Sequence, residues 1–105
     1  MAGLRSNNNS RERIMAGNTV KEKIAAGARI VDVRTPAEFK DGAYAGAINI
    51  PISSLPARMN ELEPRNAPIV LYCASGARSG QGARLLKQAG FTDVTNAGGL
   101  EDMPE

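Results

Sequence analysis

The segment Pro68-Ile69-Val70-Leu71-Tyr72 constrains the fold most, because it is the most hydrophobic run in this chain of 105 residues. Its apolar side chains are continuous rather than alternating, which is typical of a strand buried on both faces of a parallel sheet. Cys73 follows directly, then a loop of small residues, and then a predicted helix over roughly residues 80–88. This order predicts a strand-to-helix unit of an α/β domain.

Three further segments have the β-branched composition of strands, at residues 30–33, 47–50 and 93–96, and helix signals separate them. Thr35-Pro36-Ala37-Glu38 is a capping box with proline at the first helical position, which predicts a helix start. The length suits one domain, which we assign to residues 18–105. Residues 1–17 are polar and unpatterned, and we expect them to form a disordered tail.

The charge distribution argues against nucleic-acid binding. The formal net charge of +2 is carried by the first 18 residues, which contain three arginines and one glutamate. The remaining chain has equal numbers of basic and acidic residues. The longest apolar run, about six residues, is far shorter than the roughly 20 that span a bilayer. We therefore expect no nucleic-acid and no membrane partner. We also expect a monomer and a cytoplasmic location, with the periplasm after removal of a signal segment as the alternative.

Cysteine and histidine counts narrow the chemistry further. Cys73 is the single cysteine and the chain has no histidine, so an intrachain disulfide and a Cys/His metal site are excluded. A Ser-His or Cys-His catalytic couple is excluded as well. We expect no cofactor and no metal.

The residues after Cys73 predict an active site. Ligands of open α/β sheets bind at the carboxyl ends of strands, where this thiol lies. The loop residues Ala74, Ser75, Gly76, Ala77, Arg78 and Ser79 are the predicted substrate-binding set. Small residues let backbone amides surround the sulfur, the following helix adds its positive end, and Arg78 can grip an anion. The alternative interpretations are an inert core cysteine and an ordinary turn glycine at Gly76.

Three motifs in this order resemble the rhodanese-like domain family over about residues 19–103. They are IVDVRTPAEFKDGAYAGAINIP at residues 30–51, YCASGARS at residues 72–79 and NAGGL at residues 96–100. Small single-domain sulfurtransferases of the phage-shock type are the most similar in pattern. The resemblance implies a rhodanese-like α/β fold, with a central, mostly parallel five-stranded sheet flanked by helices on both faces.

The resemblance also implies a function. Cys73 would take a sulfane sulfur from a small anionic donor such as thiosulfate, form a persulfide, and pass the sulfur to a thiol or to cyanide. Such a thiolate, activated by backbone amides, needs no base. The chain departs from the family at Ala43, where a histidine is usual, and at Met103, where a tryptophan is usual. We expect the first departure to affect stability more than activity.

Asp32 and Arg34 match the family's D-V-R and are predicted supporting residues. They can frame the site from the neighbouring strand, or they can be structural, with Arg34 paired to Glu38 across the strand-to-helix junction.

Two rival functions follow from the same residues. The first is a cysteine phosphatase or arsenate reductase, which also places a cysteine in an anion-binding loop closed by arginine. The phosphatase loop needs five residues between cysteine and arginine, whereas four separate Cys73 from Arg78. A non-enzymatic persulfide carrier or protein-binding module is the second rival, because one fold serves several functions.

Overall fold

The computed structural model describes residues 19–105, and the predicted tail at residues 1–17 lies outside the described residues. Strands and helices alternate there as predicted. The strands are β1 (Arg29–Asp32), β2 (Ile48–Asn49), β3 (Ile69–Cys73) and β4 (Val94–Gly99). The helices are α1 (residues 19–25), α2 (Pro36–Asp41), α3 (Leu55–Arg58) and α4 (Ala77–Gln88). Short 3-10 turns cover Ile52–Ser54, Met59–Leu62 and Leu100–Asp102.

The strands form one parallel sheet in the order β2-β1-β3-β4, which confirms the predicted α/β class. Four strands take the place of the expected five. The reason is that residues 19–105 contain only the four strand-like segments visible in the sequence, and the resemblance alone implies a fifth. Asp32 at the end of β1 pairs with Tyr72, so the carboxyl ends of the two central strands lie side by side.

Both faces of the sheet are covered, as predicted. All five residues of β3 are buried, and their side chains alternate between two apolar cores. The first core contains Ile69, Leu71, Cys73, Leu55, Ala83 and Leu86. The second contains Val70, Tyr72, Val20, Ile30 and Met103. Burial on both sides explains why the run from residue 69 to residue 72 is apolar throughout.

The two departures from the family pattern lie in different surroundings. Met103 is buried in the second core, which also contains Tyr72, so an apolar side chain still packs at this position. Ala43 is exposed and lies outside both cores. None of the helices within residues 19–105 has the length and apolarity to cross a bilayer.

The helix after the cysteine begins at Ala77, three residues before the predicted start at Gly80. Its N-cap is Gly76, which has a left-handed φ of 101° and gives no side-chain cap. A glycine cap carries none of the serine, threonine or aspartate signals from which helix starts are predicted. The early start places Arg78 and Ser79 in the first turn, close to the end of β3.

Helix α2 begins where the capping box predicts. The Glu38 amide donates to Thr35 Oγ1 at 3.2 Å, and the Thr35 amide donates to Glu38 Oε1 at 3.0 Å. No residue of α2 is buried, so its caps contribute more to its position than packing does. They hold Glu38 facing the loop after β3.

Candidate active site

Cys73 is the last residue of β3, and its side chain is almost completely buried, with 1% of its surface exposed. In the sheet it pairs with Gly99 of β4, after an irregularity in the register between Leu71 and Cys73. A side chain added to Gly99 would collide with the carbonyl group of Ala74. The glycine therefore allows β4 to approach the loop closely, and the loop closes over the sulfur.

Three hydrogen-bonding groups of the loop surround the Cys73 sulfur. The Gly76 amide donates to Sγ at 2.9 Å and the Ser79 amide at 3.4 Å, while the Ser79 hydroxyl oxygen lies 3.4 Å from Sγ. This is the predicted arrangement of inward amides. It requires Gly76, whose positive φ is strained for other residues and whose Cα side lies against Gly98.

Burial raises the pKa of the Cys73 thiol, because a thiolate is poorly solvated there. Hydrogen bonds from the Ser79 hydroxyl, the Ser79 amide and the amides of Ser75 and Gly76 act in the opposite direction and prevail. The pKa of Cys73 falls from its usual 9.0 to about 7. Both thiol and thiolate are therefore populated near neutral pH, and the thiolate is the nucleophilic form.

The other predicted substrate-binding residues differ in exposure. Ala74, Ser75 and Ala77 are exposed, Gly76 and Arg78 are half-buried, and Ser79 is fully buried. The exposed small residues leave the outer side of the loop open to solvent, whereas Ser79 faces the sulfur.

Arg78 is paired with a carboxylate. Its guanidinium donates to both oxygens of Glu38, at 2.8 and 3.1 Å, and each side chain is about one-third exposed. The hydrogen bond from Arg78 is the largest cause that lowers the pKa of Glu38 to about 2, followed by the Thr35 amide. The Glu38 carboxylate is therefore ionised at neutral pH, and the predicted anion-binding arginine carries a counterion of its own.

Asn96 of β4 is a site residue that the sequence reasoning did not select. Its Oδ1 lies 2.6 Å from the Ser79 hydroxyl oxygen, and its Nδ2 donates to the Gly76 carbonyl at 3.2 Å. It therefore contacts two of the residues that hold Sγ. Its position at the start of the NAGGL segment is the only signal in the sequence, because a single sequence does not show that residue 96 contacts residue 79.

Asp32 and Arg34 form a separate buried network. The Arg34 guanidinium donates to both Asp32 oxygens, the Tyr72 hydroxyl donates to Asp32 Oδ2 at 2.8 Å, and Arg34 also donates to the Gly42 carbonyl. The predicted Arg34–Glu38 pair is wrong, because Asp32 is nearer in the chain and buried with Arg34, while Glu38 faces Arg78. Within residues 19–105, the side chains of Asp32 and Arg34 make no hydrogen bond to the loop at residues 74–79.

Comparison with known proteins gives consistent results. The Rhodanese-like domain family model matches residues 16–103. Thiosulfate sulfurtransferase PspE of Escherichia coli is 39% identical over 74 residues, which cover 70% of this chain and 71% of that protein. Human thiosulfate:glutathione sulfurtransferase is 32% identical over 94 residues, covering 76% of this chain and 82% of that protein. The solved structure of a rhodanese with anions from E. coli superposes with a TM-score of 0.69 at 38% identity, covering 74% and 95% of the two chains.

Proposed function

The chain belongs to the rhodanese-like domain family, and on this premise we propose that it is a sulfurtransferase acting through a persulfide on Cys73. The donor is a small anion that carries a sulfane sulfur, such as thiosulfate, and the acceptor is a thiol or cyanide. Relatives named as sulfurtransferases support sulfur transfer in general. The observation that carries the proposal is the ring of donors around Sγ, which lowers the pKa of Cys73 to about 7 without any histidine.

In the first step, the Cys73 thiolate attacks the outer sulfur of thiosulfate. A bond forms between Sγ and that sulfur, the bond to the sulfonate sulfur breaks, and sulfite leaves with the electron pair. No proton has to be removed during attack, because the loop already favours the thiolate. This accounts for a nucleophile that works in a chain with no histidine to act as its base.

In the second step, the acceptor attacks the outer sulfur of the persulfide. With cyanide, thiocyanate forms and the Cys73 thiolate leaves with the electron pair, so the enzyme returns to its starting state. The amides of Gly76 and Ser79 and the hydroxyl of Ser79 stabilise this leaving thiolate. They also stabilise the negative charge of the persulfide, as an oxyanion hole stabilises oxygen.

Arg78 supplies the charge that attracts the donor. Its pairing with Glu38 is a one-third-exposed contact, of the kind that contributes little to stability and exchanges readily. An arriving anion competes with Glu38 for the guanidinium, whose fork geometry suits two oxygens of a sulfonate group. Glu38 thus weakens the attraction between Arg78 and the anionic donor without abolishing it.

The two rival functions fit the geometry less well. Four residues separate Cys73 from Arg78, and two amides converge on the sulfur itself, which suits one added sulfur atom better than a tetrahedral phosphate. A module that only binds a partner does not require a thiol whose pKa is lowered to about 7. A persulfide carrier shares the first step and differs only in turnover.

Intact-mass spectrometry tests the proposal. After incubation with thiosulfate, the protein should gain the mass of one sulfur atom, and cyanide should remove it. Cys73→Ser is the control and should gain nothing. Absence of the added sulfur with thiosulfate, mercaptopyruvate and low-molecular-weight persulfides alike, in protein whose thiol still reacts with iodoacetamide, would overturn the proposal. A stable persulfide that neither cyanide nor thiols remove would indicate a persulfide carrier instead of an enzyme.

A further inference from the structure

We propose that Asn96 is a positioning residue for Cys73. Asn96 accepts the hydrogen bond of the Ser79 hydroxyl while Cys73 is a thiol, and the hydroxyl turns to donate to the sulfur when Cys73 ionises. The importance of this role for catalysis rests on the proposed function. The contacts and the ionisation of the thiol can be measured without any sulfur transfer.

Two backbone contacts fix the orientation of the Asn96 amide. The Gly98 amide donates to Oδ1 at 2.9 Å, and Nδ2 donates to the Gly76 carbonyl at 3.2 Å. The reversed amide would set its NH₂ group against the Gly98 N–H and its oxygen against the Gly76 carbonyl. Both contacts would then be repulsive, so Oδ1 is the atom that faces Ser79.

This orientation decides where the Ser79 proton lies. Asn96 Oδ1 only accepts hydrogen bonds and is 2.6 Å from Ser79 Oγ, so the hydroxyl donates to Asn96. A hydroxyl has a single proton, and Ser79 is fully buried. Across the 3.4 Å contact with Cys73, the thiol S–H must therefore donate to Ser79 Oγ, which favours the thiol.

Ionisation of Cys73 reverses this pattern. The thiol proton leaves to solvent, and the thiolate has only lone pairs to offer. The Ser79 hydroxyl rotates about its Cβ–Oγ bond, so that its hydrogen bond to Asn96 Oδ1 breaks and one to Sγ forms, with no covalent bond exchanged. A charged acceptor gives the stronger hydrogen bond. Asn96 Oδ1 keeps the Gly98 N–H, so neither state leaves a buried group without a partner.

The acidic and basic side chains near the loop take no part in this exchange. Arg78 approaches from α4 and is paired with Glu38 of α2. Asp102, after β4, accepts from the Gly99 amide at 2.8 Å. Uncharged substitutions at residues 79 and 96 leave these three side chains unchanged, so they isolate the contribution of one hydroxyl proton.

The pKa of Cys73 in single variants gives the first test, measured from the pH dependence of iodoacetamide alkylation and from thiolate absorbance. Ser79→Ala removes a donor to the thiolate, so the pKa should rise and the thiolate fraction at pH 6 should fall about tenfold. Asn96→Ala removes the competing acceptor, so the pKa should fall. This fall should be the smaller effect, since the Gly98 carbonyl, 3.3 Å from Ser79 Oγ, is a second acceptor.

The double variant separates a role through Ser79 from a general effect on the loop. In the Ser79→Ala background, Asn96→Ala should leave the pKa of Cys73 unchanged. Asn66→Ala, an exposed asparagine outside the site, is the matched control and should have no effect. A higher pKa in Asn96→Ala, or the same change with and without Ser79, would overturn the inference.

A second substitution covers the case in which Asn96→Ala fails to fold, as judged by circular dichroism. Asn96→Asp has the same shape and keeps the Oδ1 acceptor, but it replaces the donor to the Gly76 carbonyl by a second oxygen and adds negative charge, so the pKa should rise. The rise should be larger with Ser79 present than in the Ser79→Ala background, and equal rises would overturn the inference. If these pKa changes appear while Cys73 never acquires sulfur, the proposed function fails and the role of Asn96 stands.

Discussion

Asp32 and Cys73 end the two central strands, β1 and β3, and each accepts several hydrogen bonds, yet their partners differ in kind. Asp32 is paired with the Arg34 guanidinium and the Tyr72 hydroxyl, and all three side chains are buried. Cys73 is held by two backbone amides and one hydroxyl, all neutral. The end of β1 carries a buried ion pair, whereas the end of β3 carries a thiol that gains and loses its proton near neutral pH.

At the carboxyl ends of these two strands, one group of residues therefore contributes to stability and the other to reactivity. The hydrogen bond to Asp32 is the largest cause that raises the pKa of Arg34, which keeps the guanidinium charged. Neutral dipoles around Cys73 are strong enough to lower the pKa of the thiol to about 7, but they leave the sulfur free to bond to another atom. A buried arginine at Cys73 would stabilise the thiolate more and would also make it a poorer nucleophile.

Cys73→Ser gives the largest expected effect on the reactive side of this comparison. Persulfide formation needs the thiolate, so sulfur transfer should fall about a thousandfold or more. The hydroxyl of serine accepts the same amide hydrogen bonds, so the free energy of unfolding at pH 7 should change little. Steady-state thiocyanate formation and urea unfolding measure the two quantities. Substantial residual transfer would remove Cys73 from the mechanism.

Asp32→Asn tests the structural side. The substitution leaves the buried Arg34 charge without a counterion, so the free energy of unfolding should fall by about 3–5 kcal/mol. Folded protein should still alkylate at Cys73 with an unchanged pH profile. Glu38→Gln is the matched control, because it breaks a partly exposed pair of the kind that contributes little to stability, so its loss should be much smaller. Equal losses in urea unfolding for the two variants would contradict the comparison.

The pH dependence of Cys73 gives a smaller effect. Thiolate forms as pH rises through about 7, so the alkylation rate should increase about tenfold per pH unit below 7 and level off above it. The folded-state pKa lies below the unfolded one, so this group adds stability as pH rises from 7 to 9 and loses it as pH falls through 7. Cys73→Ser should lack this pH-dependent stability. An alkylation rate that keeps rising to pH 9 would indicate an ordinary thiol.

The sequence predicts the elements of this site better than their pairing. The apolar run at residues 69–72 and the small-residue loop correctly predict that Cys73 lies at the end of a buried strand, because burial and chain direction follow from local pattern. The partners of Arg34 and Arg78 were not predictable from pattern, because chain spacing alone does not assign Glu38 to one arginine. In the structure the caps of α2 hold Glu38 beside Arg78, and Arg34 pairs with Asp32. The Ser79–Asn96 contact joins residues 17 positions apart, and no local rule connects them.

The partly exposed Arg78–Glu38 pair is charged like the Asp32–Arg34 pair but lies beside the reactive loop, and it gives the smallest expected effect. Arg78→Ala should raise the KM for thiosulfate about tenfold through loss of a two-oxygen contact, with alkylation by uncharged iodoacetamide unchanged. Glu38→Gln frees the guanidinium from its counterion, so the KM should fall a few-fold. In the Arg78→Ala background, Glu38→Gln should have no effect, and Arg84→Ala, exposed on the same helix, is the control for charge. If Glu38→Gln raises the KM as Arg78→Ala does, Glu38 orients the arginine for the donor, and this pair belongs with Asp32 and Arg34 as a fixed ion pair.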